Sequence, residues 1–221
     1  MAKETAPHTK ERARGITLVC FAVKEEGRFF RSTAAERLIT GMGSRNAKNM
    51  LEAALRERKV SLVLSCGFGG GLNPELEVGK VVFQADDNSD LKPLLIRANA
   101  IEVKFHFCDR VATTTKAKQL LREQTGADVV EMESWVIREI CKERGIPSAT
   151  VRVISDAANQ DLPLDFNELL TTEQRLSYGK LIKTIVRSPR KIPALLQLQK
   201  QTTLAARNLA DVLEKIISAR A

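Results

Sequence analysis

The chain is poor in aromatic residues, histidine and cysteine, and it has no long apolar run. Its 221 residues hold one Trp and one Tyr, and aromatics make up 5%. Few rings are available to stack nucleic-acid bases. His8 and His106 are the only histidines, and Cys20, Cys66, Cys108 and Cys141 stand far apart with no CxxC pair. A zinc site of close ligand spacing is therefore not expected, and no metal is assigned. No apolar run reaches the ~18–20 residues of a membrane helix. The charged stretch Met1–Gly15 lacks the apolar core of a secretory signal. Separate thiols without such a signal point to the cytoplasm.

What is present is a hydrophobic fraction of 43%, enough for one real core. Lys and Arg outnumber Asp and Glu by 35 to 27, a net charge of +8. Such an excess raises nucleic acid as a partner. Its distribution argues against that. Met1–Arg14 carries +2 and residues 171–221 carry +7, which leaves Gly15–Leu170 at −1. The cations are scattered rather than set in one stripe. Met1–Arg14 reads as a disordered basic tail, and residues 15–221 as a single domain.

Apolar runs of strand length alternate with helical patterns. Ile16–Phe21, Val60–Ser65 and Ala149–Ser155 are apolar on both faces, as buried parallel strands are. Glu36–Thr40, Val81–Gln84, Ile101–Phe107 and Val129–Glu131 are further strand candidates. Helices are expected from Ser44 to Arg58, over Leu91–Ala100 and Thr115–Thr125, and over Ser134–Arg144. Gly126 and Gly145 supply stop signals. Phe166–Val186 reads as a broken helix, interrupted by Pro189 and Pro193, before a long amphipathic helix over Leu195–Ala219. The pattern is that of an α/β domain with a largely parallel central sheet. Ligands in such sheets sit at the carboxyl ends of strands.

Four motifs fall at such ends. Gly67, Gly69, Gly70 and Gly71 follow a buried strand and let backbone approach a ligand. Read as a turn, they present N–H groups to an anion. A bare strand-to-strand connection explains them almost as well. Glu131-Met132-Glu133-Ser134 places carboxylates where they can accept hydrogen bonds from ribose hydroxyls, or simply favour the start of a helix. Asp156 leaves an apolar strand for a cleft. Desolvation there favours the protonated carboxyl, a general acid, although an N-cap is an equal reading. Glu25-Glu26 and the turn Gly41–Ser44 complete the set.

Together these motifs resemble the nucleoside phosphorylase superfamily, which includes the methylthioadenosine/S-adenosylhomocysteine nucleosidases. Cys66–Val82 (CGFGGGLNPELEVGKVV) resembles the TGSAGGL-x-P-x-L-x-VGD-x-V signature. Glu131–Ser134 resembles the MEG/MEA motif, Val151–Ala157 (VRVISDA) the VRxISDxA strand, and Ala22–Glu26 (AVKEE) the AMEEE segment. Ala112-Thr113, Gly126-Ala127 and Asp161-Leu162-Pro163 resemble the hopanoid-associated phosphorylases.

The resemblance implies a three-layer α/β fold with a mixed central sheet flanked by helices, and a homo-oligomer. It implies cleavage of the N-glycosidic bond of a purine-nucleoside-like substrate without metal or organic cofactor. Asp156 would assist the leaving base. Glu133, Met132 and Glu131 would bind the nucleoside, and Glu26 would activate water in a hydrolytic member. Ser65 and Gly67 would hold phosphate as co-substrate in a phosphorolytic member. Leu62 stands where phosphorolytic purine enzymes carry an arginine, so Arg28 and Arg45 are the candidates to replace it. Phosphorolysis is the leading expectation and nucleosidase-type hydrolysis the alternative. Nucleic-acid binding without turnover is the alternative of another class.

Overall fold

A computed structural model describes residues 15–86, 90–169, 171 and 178–220. The expected tail 1–14 lies outside the described residues, as do 87–89 of the acidic loop and 172–177 of the broken helix.

Strand β1 (Ile16–Phe21) shows how the layers arise. Side chains alternate across a strand. Leu18 and Cys20 pack on one side with Ala47 and Leu51 of helix α1 (Ser44–Glu57) and Ile137 and Ile140 of α4 (Ser134–Glu143). Val19 and Phe21 pack on the other side with Leu91 and Leu95 of α2 (Leu91–Arg97) and Leu209 and Leu213 of α7 (Ile192–Ser218). Helices therefore cover both faces.

The remaining strands are β2 (Glu36–Ile39), β3 (Val60–Gly71), β4 (Val81–Ala85), β5 (Ile101–Glu102), β6 (Phe105–Phe107), β7 (Val129–Glu131) and β8 (Ser148–Asp156). Among the described residues, eight strands form one sheet in the order β2-β1-β3-β8-β4-β5, with β7 joining β3 and β6. β1, β2, β3 and β8 run parallel. β4 is antiparallel to β8, and β7 to β3, so the sheet is mixed rather than largely parallel. No described helix is long and apolar enough to cross a membrane.

Three boundaries differ from the sequence reading for physical reasons. The glycines 67–71 do not form a turn; they continue β3, paired with β8 and β7. Lacking side chains, they admit close neighbours: a Cβ on Gly69 would lie 2.7 Å from a Val129 methyl. Ile101–Phe107 splits into β5 and β6. Pro193 does not interrupt a helix, because it sits in the first turn of α7, where no intrahelical N–H is needed. The short α5 (Phe166–Leu169) and α6 (Tyr178–Arg187) flank the undescribed segment.

Candidate active site

The site is built at the carboxyl ends of β1, β3, β7 and β8. The turn after β1 folds Glu26 back over its own strand. Its Oε2 accepts the N–H groups of Ala22 (2.8 Å) and Val23 (3.1 Å), and its Oε1 accepts that of Phe68 (2.8 Å). Gly67 makes this possible, because a Cβ there would stand 2.5 Å from Oε1. Burial pushes the Glu26 carboxyl above the ordinary carboxylate range, against the pull of those donors and of Arg152.

β7 ends in Glu131, which caps α4. One oxygen accepts the N–H groups of Glu133 (2.9 Å) and Ser134 (2.8 Å), and the other accepts the Ser134 hydroxyl (2.7 Å). The first oxygen also receives Arg152 Nη2 at 2.8 Å. Arg152 projects from β8, is 2% exposed, and donates from Nη1 to the Ser65 carbonyl at 2.7 Å. Glu133 turns the other way. Its Oε1 accepts the Gly43 N–H at 2.9 Å, and its Oε2 lies 3.7 Å from Arg152. Burial, then the Glu131 charge, push the Glu133 carboxyl up to about 7. Three carboxylates thus surround a single guanidinium. Met132 is half-buried between the two glutamates in sequence.

Asp156 closes β8. Ser155 Oγ donates to its Oδ1 at 2.6 Å, and Lys118 Nζ sits 2.6 Å from its Oδ2. Lys118 belongs to α3 (Thr115–Thr125) and is 0% exposed. It also donates to the carbonyls of Ala157 (2.7 Å) and Gln160 (2.9 Å), so its three protons have three acceptors. The loop beyond β8 is tied to α3: Asp161 accepts the Thr115 N–H, and Leu162 donates to the Thr113 carbonyl. The motifs Ala112-Thr113 and Asp161–Pro163 are therefore neighbours in space.

Glu26 abuts Gly67, and a Cβ on Gly70 would be 3.5 Å from Asp156 Oδ2. Three strand residues span roughly 10 Å. The two acids therefore flank the same glycine stretch of β3, and Glu133 lies within electrostatic range of Glu26. Among the expected phosphate ligands, Gly67 faces a carboxylate. The Ser65 hydroxyl is buried and takes Arg152 Nη2 at 3.3 Å. Arg45 is exposed on the first turn of α1. Arg28 is exposed and lies over the Phe29 ring at 4.5 Å. Neither arginine is brought to the cluster. Among the described residues, no group of His, Cys, Asp and Glu has the geometry to hold a metal. A cavity of about 660 Å³ borders the cluster at Glu131 and Ser134 and is not lined by Glu26, Glu133 or Asp156.

Sequence reasoning missed Lys118. The signal was its position: 118, 121, 122 and 125 form the covered stripe of α3, while Leu120 is 52% exposed.

A family model of the Phosphorylase superfamily matches residues 96–187. The methylthioadenosine/S-adenosylhomocysteine nucleosidase of Shewanella halifaxensis is 36% identical over 63 residues, which are 28% of this chain and 26% of that protein. The nucleosidase of Marinomonas sp. is 24% identical over 170 residues, 60% of this chain and 72% of its own. The first of these matches thus spans about a quarter of its relative's length. In fold, the chain is similar to the futalosine hydrolase of Helicobacter pylori, with a TM-score of 0.66 at 15% identity, covering 92% of this chain and 97% of that one. The architecture is that of the nucleoside phosphorylase and hydrolase fold.

Proposed function

We propose that this chain, which matches the phosphorylase superfamily in sequence over residues 96–187 and resembles its hydrolases in fold, is an N-glycosyl hydrolase of a purine-nucleoside-like substrate. The observation that carries the choice of water over phosphate is the place of Glu26. Its carboxylate occupies the Phe68 N–H and abuts Gly67, the backbone that a bound phosphate would need. Three buried carboxylates around one arginine disfavour a further dianion. Arg28 lies over the Phe29 ring, and Arg45 is exposed on the first turn of α1. The named relatives are nucleosidases and a hydrolase, which supports the same reading.

N-glycosidic cleavage passes through an oxocarbenium-like state. Glu133 holds the ribose hydroxyls as acceptor. Glu26, its basicity raised by burial, orients water and takes one proton as the oxygen attacks the anomeric carbon. The bond to the base breaks, and its electron pair leaves on the base. Asp156 passes the neutralising proton to the base and takes up the one that Lys118 Nζ shares with it at 2.6 Å, so the proton gained by Glu26 is balanced by the one the pair gives up. No metal or organic cofactor enters this scheme, which suits a cytoplasmic nucleoside enzyme.

The deciding experiment is base release from methylthioadenosine and adenosine, with and without inorganic phosphate. Equal rates, with free sugar as product, are expected. Strict dependence on phosphate, with a sugar 1-phosphate as product, would restore phosphorolysis. Absence of turnover together with tight, salt-sensitive oligonucleotide binding would favour the nucleic-acid reading.

A further inference from the structure

From residue 178 to 210 the chain holds seven cations (Lys180, Lys183, Arg187, Arg190, Lys191, Lys200 and Arg207) and no acid. All seven are exposed. The same stretch also exposes large apolar side chains: Ile182 is 62% and Val186 74% exposed on α6, and Ile192 and Leu196 are 41% and 53% exposed at the start of α7. The two kinds of residue are segregated. On α6, Ile182 and Val186 share one face at i, i+4 spacing, and Lys180, Lys183 and Arg187 share another at i, i+3, i+7. On α7 the fully buried face begins only at Ala205, and Ile192–Lys200 holds exposed and half-buried residues alone.

We propose that α6 and the amino-terminal part of α7 form a docking surface for an anionic lipid bilayer. A basic amphipathic helix of this kind lies in the headgroup plane with its apolar face at the acyl boundary. It is too charged and too short to cross, consistent with the lack of any spanning helix among the described residues. Charge complementarity selects the occupant. A cation-only stretch attracts the negative leaflet surface, and a neutral apolar groove on a protein would leave those charges unmatched. Duplex or single-stranded nucleic acid would match the charges and leave Ile182, Val186, Ile192 and Leu196 exposed.

The test is co-sedimentation of the full chain with vesicles, read without turnover and so independent of the proposed hydrolysis. Phosphatidylcholine alone is compared with an equimolar mixture of phosphatidylcholine and phosphatidylglycerol. Binding is expected to the mixed vesicles only, and to weaken as salt rises. Each cation removed should lower partitioning about fivefold, so Lys183→Gln with Arg187→Gln should lower it about 25-fold. Ile182→Ser with Val186→Ser should also release the chain, and circular dichroism checks that these exposed substitutions leave the fold intact. The proposal is overturned if the chain stays in solution with the mixed vesicles, binds both vesicle types equally, or binds oligonucleotides with no effect of the apolar substitutions. If a variant fails to fold, the vesicle comparison with the unaltered chain decides alone.

Discussion

Asp156 and Lys118 meet at 2.6 Å inside the protein, and both are buried. Removing one partner strands the other. Lys118→Met should destabilise the fold by about 3–5 kcal/mol, the usual cost of breaking one side of a buried pair. The double variant with Asp156→Asn should recover part of that loss. Chemical denaturation of the two singles and the double measures the coupling, and additive losses would show that the pair does not act as a unit. In turnover, Asp156→Asn should cost about 10²–10⁴-fold, the range for a lost general acid. Unchanged turnover would remove Asp156 from its role. The pair also corrects the expectation of a lone desolvated acid: the carboxylate is met by an ammonium and a hydroxyl.

At the scale of elements, the acids were legible because each ends a strand whose apolar run is obvious. Ile16–Phe21 leads to Glu26, Val129–Glu131 to Glu133, and Ala149–Ser155 to Asp156. What lay beyond reach was how these ends close on one another. Sequence spacing does not say that a strand carries on through four glycines, so the sequence alone ends β3 before them, in a turn or a bare connection. Nor does it say that a lysine in a polar helix is the covered residue, since burial of Lys118 depends on the loop after β8 folding over α3. Glu131 illustrates the opposite case, where both readings of a motif compete. Its contacts are those of a helix cap and of an ion pair with Arg152. Glu131→Gln keeps acceptors for the α4 N–H groups, whereas Glu131→Ala loses them. The cap alone is worth about 1 kcal/mol. Both variants leave Arg152 without its closest charge, so both should unfold earlier in urea, the alanine variant first. Equal midpoints for the two would show that capping by Glu131 contributes nothing.

Over the whole molecule, charge is sorted by depth. The cations from Lys180 to Arg220 are exposed, while Glu26, Glu131 and Glu133 are buried near one arginine. That arrangement makes stability depend on pH. The Glu133 carboxyl is raised from an ordinary 4.5 to about 7 by burial and by Glu131. Its folded state therefore binds more protons than the unfolded chain between those two values. By linkage, stability therefore falls as pH rises through that range. The contribution of protonated Glu133 is complete below about 4.5 and is lost as pH rises through about 7. Glu26, shifted the same way by burial, adds in the same sense. Glu133→Gln keeps an acceptor for the Gly43 N–H and removes the charge. It should raise the melting temperature above the unaltered chain at pH values beyond about 7 and leave it nearly equal at pH values below about 4.5. Turnover should move oppositely. Under the proposed function, the unaltered chain should gain activity as Glu133 ionises, and the glutamine variant should lose that rise. Thermal melts and initial rates across the same pH series read both at once. A variant that is stabilised equally at every pH would place the buried charge somewhere other than Glu133.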